Sequence, residues 1–192
     1  MDKSILQTGD IFMTDDFKTA SKIVKFLMTA PTVWQHVWRK FFGKQEEVRF
    51  YHVGMVLDKS GMIEQQGKVQ LADNSKIFRK NYVIWRKIGL TEQEKNKLCE
   101  IAWDDLGKGY GIMECIGKTI SWITGIKYFS KWFDIKDKAI CAIRVAEWYK
   151  EAIGETFGET NPNYLTTDKI DNYMLTNNKD WLCVLLHYEK ES

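Results

Sequence analysis

The spacing of hydrophobic positions changes several times along the chain, and each change marks an element. After Gly9-Asp10, the apolar run over 11–13 predicts a short strand. Thr14 or Asp15 can cap a helix in which Phe17, Ala20, Val24 and Leu27 recur at helical spacing until Pro31. Trp34, Trp38, Phe41 and Phe42 make a second amphipathic stripe. Residues 48–57 (VRFYHVGMVL) are β-branched and aromatic, and the turn Asp58-Lys59-Ser60-Gly61 follows them. Extended patterns resume over 62–65 and 69–71, which predicts a hairpin with a further strand, and residues 82–88 predict another.

Thr91 and Glu94 form a capping box for a helix reaching about Asp105, with Leu98, Ile101 and Ala102 on its buried face. Residues 111–133 are apolar and aromatic but broken by glycines, and read as interrupted helix and loop. Asp137 caps a helix over 138–153, closed by Gly154. Its inward stripe is Cys141, Val145, Trp148 and Ala152; its outward face is Arg144, Glu147, Lys150 and Glu151. A short helix over 167–175 and a strand over 181–188 complete the order, which predicts an α+β fold.

Composition narrows the picture only slightly. A length of 192 residues with 44% hydrophobic and 14% aromatic content fits a single domain, 1–192, with a substantial core. A net charge of +2 gives no reason to expect a nucleic-acid partner. No apolar run is long enough for a secretory signal or a membrane span, so a cytoplasmic protein without an integral membrane segment is expected. The four cysteines, Cys99, Cys115, Cys141 and Cys183, contain no C-x-x-C pair. That spacing suggests neither a zinc site nor a disulfide framework, and no metal or other cofactor is expected.

Three residues carry candidate chemistry. Cys141 falls in the first turn of its helix, where free N–H groups and the helix dipole lower a thiol pKa. The same position also suits a small buried thiol on an apolar stripe. His52 lies inside a hydrophobic strand, where an imidazole needs a hydrogen-bond partner, either as a general base or as a satisfied core residue. The other two histidines, His36 and His187, sit where packing or solubility explains them. Glu64, after the hairpin turn, falls on the His52 face or the opposite one, depending on turn length. A four-residue loop with one bulge places it across from Gly54 or Val56, able to accept the imidazole Nδ1–H.

The ordered series Gly9-Asp10-Ile11, His52-Val53-Gly54-Met55-Val56-Leu57, Ile63-Glu64 and Trp85-Arg86-Lys87 resembles the permuted NlpC-like papain-fold family, in its YiiX/YaeF-like branch. Leu106-Gly107-Lys108-Gly109-Tyr110, Ile140-Cys141 and Thr166-Thr167-Asp168 extend the resemblance over most of the chain. It implies a circularly permuted papain-like fold, with an antiparallel sheet packed on a nucleophile-bearing helix. It also implies a catalytic set of His52, Glu64 and Cys141, with Tyr110 as a substrate-binding or oxyanion contact, and a bacterial or phage origin. The chain departs from the family where Ala142, Ile143 and Arg144 follow the cysteine and where Gly111 follows the tyrosine. These departures put the substrate class in question.

The leading expectation is a cysteine hydrolase that cleaves a peptide or peptidoglycan-type amide through a thioester. One alternative is a lipid acyl hydrolase or acyltransferase resembling lecithin:retinol acyltransferase, with the aromatic stretches at 34–42 and 112–133 as an acyl groove. Another is a binding module that keeps the fold without turnover, suggested by Ala142 and Arg144. The expected partner is a small peptide, amide or acyl substrate; oligomeric state is left open.

Overall fold

In the computed structural model, the described residues are 5–15, Phe50, 52–58, 61–79, 81–109, 141–162 and 165–187. They form six strands: β1 (Ile11–Thr14), β2 (His52–Val56), β3 (Gly61–Gln66), β4 (Lys68–Asp73), β5 (Tyr82–Lys87) and β6 (Trp181–His187). The α-helices are α1 (Glu92–Asp104), α2 (Cys141–Ile153) and α3 (Thr167–Thr176), and a 3-10 segment runs over Asn74–Arg79. The strands make one antiparallel sheet in the order β4-β3-β2-β1-β5-β6. The α+β class expected from the sequence is the one observed. Among the described residues no helix is long and apolar enough to cross a membrane.

The central strands are apolar at successive positions because both faces of the sheet are covered. One face carries Ile11, Met13, Val53, Met55, Ile63, Val83 and Trp85, packed with Cys141, Val145 and Trp148 of α2 and with Leu98 and Ala102 of α1. The other carries Phe12, Val56, Met62, Tyr82 and Ile84, packed with Leu6 and with Ile77 from the 3-10 segment. Thr91 and Glu94 form the expected capping box at the start of α1. The 3-10 segment carries no strong periodicity and is not foreshadowed in the sequence.

The helix α2 corrects one expectation. Arg144, assigned to an outward face, is only 6% exposed. The helix packs on the sheet and against α1, so the flank that carries Arg144 meets protein, while Lys150 and Glu151 remain exposed as expected. Arg144 there donates to Asp105 at 3.1 Å, and Trp148 Nε1 donates to the same carboxylate at 2.8 Å. Lys108 also donates to Asp105. The buried carboxylate thus ties the end of α1 to α2, its charge balanced by two cations.

The helical stripes expected at 17–28 and 34–42, the 111–133 segment and the Asp137 cap lie outside the described residues.

Candidate active site

Strand β2 sets the position of the imidazole. His52 is its first residue, paired with Thr14 of β1, and is 2% exposed. The β2–β3 register pairs Gly54 with Glu64, so Glu64 falls diagonally beside His52 on the same face. That is one of the two registers the sequence allowed. His52 Nε2 lies 2.9 Å from Glu64 Oε2. The expected bond through Nδ1 is therefore corrected to Nε2, because the carboxylate approaches from β3 and meets the far side of the ring.

Glu64 is held at both oxygens. Gln70, its register partner on β4, donates Nε2 to Oε1 at 3.1 Å. Lys76, from the 3-10 segment, places Nζ 3.5 Å from the same oxygen. Burial raises the pKa of Glu64, but the bond from His52, the Gln70 bond and the Lys76 charge outweigh it and hold the group below its ordinary value. The residue is therefore a buried carboxylate ready to orient a base. Gln70 and Lys76 were not singled out from the sequence, since nothing local marks a residue that acts across two strands.

Gly54 and Phe12 complete this side of the site. The Phe12 ring lies over Gly54 and meets the His52 ring edge-on, with centroids 6.1 Å apart. A Cβ on residue 54 would lie 2.4 Å from Phe12 Cζ, so only glycine leaves room for the ring. This explains a glycine inside an otherwise apolar strand.

Cys141, 3% exposed, is the first residue of α2. Its sulfur interacts with the His52 side chain and accepts from the backbone N–H groups of Val53 and Ala142. The Val53 amide is available because β2 and β3 pair only over Gly54–Val56 and Met62–Glu64, while β3 continues alongside β4. Burial raises the thiol pKa, but the imidazole and the two amides outweigh it and bring the pKa below the ordinary value. Burial lowers the His52 pKa, yet its bonds to Cys141 and Glu64 prevail and push it up to about 10. The two groups titrate as a pair, with the thiolate–imidazolium form favoured. With Nε2 committed to Glu64, Nδ1 is the nitrogen left to face the sulfur.

The structure thus brings together Cys141, His52 and Glu64. Tyr110 lies outside the described residues. The preceding residue, Gly109, pairs with Lys68, and Gln65 Nε2 donates to its carbonyl at 3.0 Å. The donor at position 142 is a backbone N–H, which alanine supplies as well as serine or threonine would. Arg144 turns toward Asp105 and Glu147. Cys99 is half-buried and Cys183 is exposed, and burial raises both thiol pKa values. His187 stacks on Tyr82 with ring centroids 5.5 Å apart, in keeping with a packing role.

No family model and no curated protein matches the sequence. In structure, the chain is similar to YiiX from Escherichia coli O157:H7, a crystal structure described as that of a metalloprotein, DUF1105. The TM-score is 0.58 at 18% identity, over 95% of this chain and 98% of that chain. The likeness is one of fold. Among the described residues no group of three or more His, Cys, Asp and Glu side chains could hold an ion.

Proposed function

We propose that the protein is a cysteine hydrolase of the permuted NlpC-like, papain-like kind, cleaving an amide bond of a peptide or peptidoglycan-type substrate. The observation that supports this reading is the imidazole held between Glu64 and Cys141, with the thiol pKa lowered and the imidazole pKa raised. In this mechanism the Cys141 thiolate attacks the carbonyl carbon and forms a C–S bond, and the carbonyl oxygen takes the negative charge. The backbone N–H of Cys141 stabilises that oxyanion. Collapse breaks the C–N bond, and the His52 imidazolium gives its proton to the departing amine. Neutral His52 then takes a proton from water, which attacks the thioester and releases the acid and the thiol. Glu64 holds the ring and stabilises its charged form throughout.

The test begins with chemistry that needs no substrate. Iodoacetamide at near-neutral pH is expected to alkylate Cys141 faster than Cys99, Cys115 and Cys183; equal rates would overturn the reading. Hydrolysis of short peptides containing D-amino acids is then compared with hydrolysis of fatty-acyl esters, and the favoured activity must vanish in both Cys141→Ala and His52→Ala. The stretches that suggest a lipid acyl groove, 34–42 and 112–133, lie outside the described residues. A non-catalytic module draws no support from Arg144, whose side chain is engaged by Asp105 and Glu147.

A further inference from the structure

One buried polar atom next to the site is not used by the mechanism above. Gln65 follows Glu64 on β3, one register step beyond the last pair with β2, at the level of Val53. It pairs with Val69 on β4. Strand alternation turns its side chain toward the face shared by Val53, Ile63 and Val69, the face on which Cys141 packs. Gln65 is 2% exposed, and its Nε2 donates to the Gly109 carbonyl at 3.0 Å. A carbonyl can only accept, so the carboxamide cannot be turned over and its oxygen faces away from Gly109. That oxygen, Oε1, is shut off from solvent and has no hydrogen-bond partner among the described residues.

An unmatched buried acceptor costs stability, and methionine would fill the same space without that cost. The fixed orientation and the placement on the sheet face that carries Cys141 suggest a ligand with a donor. We propose that Gln65 Oε1 accepts an N–H from the group bonded to the carbonyl carbon that Cys141 attacks, and so selects amides over esters. The inference rests on the cysteine-hydrolase reading and deepens it, because it names the donor that the substrate must carry. An ester puts an oxygen where the amide has its N–H. Two acceptors then face each other at an oxygen shut off from solvent, and the penalty falls on the ester.

A matched pair of alkylating reagents tests this without knowledge of the natural substrate. N-methyl-2-chloroacetamide and methyl chloroacetate have nearly the same shape and differ in N–H against O. Each forms a C–S bond with the thiolate and releases chloride. Rates at Cys141 are divided by those for glutathione, which removes the intrinsic difference in reactivity. The expected result is a preference for the amide of about tenfold, the worth of one buried hydrogen bond. In Gln65→Met that preference falls to the glutathione ratio, while Cys141 still reacts faster than Cys99. A wild-type ratio equal to that of glutathione overturns the proposal, as does a preference that survives in Gln65→Met. Should the variant fail to fold, the wild-type ratio alone decides. Fast but unselective labelling of Cys141 sinks only the role of Gln65; slow labelling by both reagents sinks the hydrolase reading with it.

Discussion

At the scale of the residue, the chemistry of Cys141 is decided by its neighbours against the effect of burial. Burial alone would raise the thiol pKa, as it does at Cys99 and Cys183. His52 and two backbone amides reverse the sign at Cys141. Thiolate reactivity therefore has a different pH dependence at each cysteine. Because its pKa is lowered while theirs are raised, Cys141 should gain less rate per pH unit below about pH 9 than Cys99 and Cys183, which speed up by about tenfold per unit, as a thiol does below its pKa. Mass-spectrometric labelling at several pH values reads both. Turnover should have an alkaline limb as well. His52 is pushed up to about 10, and raising the pH through that value removes the proton the leaving amine needs. Replacement of His52 by Ala should lower turnover by roughly 10²–10⁴-fold, and Glu64→Gln by less, since Glu64 acts only through the ring.

At the scale of the element, β2 and α2 matter because they carry the proposed base, His52, and the proposed nucleophile, Cys141. In β2 the sensitive point is Gly54, where an added Cβ would lie 2.4 Å from Phe12 Cζ and 2.7 Å from the Ile63 carbonyl oxygen. The Gly54→Ala variant should lose about 1–3 kcal/mol of stability from overpacking and slow Cys141 labelling, because His52 shares the strand. Urea unfolding and alkylation rates measure the two effects. The anchor of α2 is Asp105 at the end of α1, with Arg144 and Trp148 bound to it. Truncation by Asp105→Ala removes the buried acceptor shared by Arg144 and Trp148 Nε1 while leaving Arg144 its ion pair with Glu147, and should cost roughly 1–3 kcal/mol. The exposed pair Lys95–Glu92 is a useful contrast, since its loss should change stability by no more than about 1 kcal/mol.

At the scale of the whole molecule, sheet order decides where the structure is rigid. Strands β1, β2 and β5 lie inside the sheet with both faces covered, while β6 is an edge strand with Leu182 and Leu186 exposed. Amide hydrogen exchange should be slowest in β1, β2 and β5 and faster along β6. The site therefore rests on the slow-exchanging strands, with His52 at the end of β2 and Glu64 on the strand beside it. Rapid exchange in β2 in the intact protein would contradict this arrangement.

Local pattern by itself determined the strands around residues 11, 55, 63 and 84, the capped helix α1 and the apolar stripe of α2, because period and capping depend on near neighbours. Those signals sufficed to single out Cys141 and His52 as candidates. They could not choose the face of Glu64, since one residue in the turn reverses it; the Gly54–Glu64 pairing chose. Nor could they identify Gln70 and Lys76 as the partners of Glu64, or Phe12 as the ring beside His52, because these contacts cross between elements. Arg144 is the clearest case. Its helical position marks it as outward, and only the packing of α1 against α2 turns it into a buried partner of Asp105. A helix pattern distinguishes the faces of one helix, but which face meets water depends on what else the chain places there.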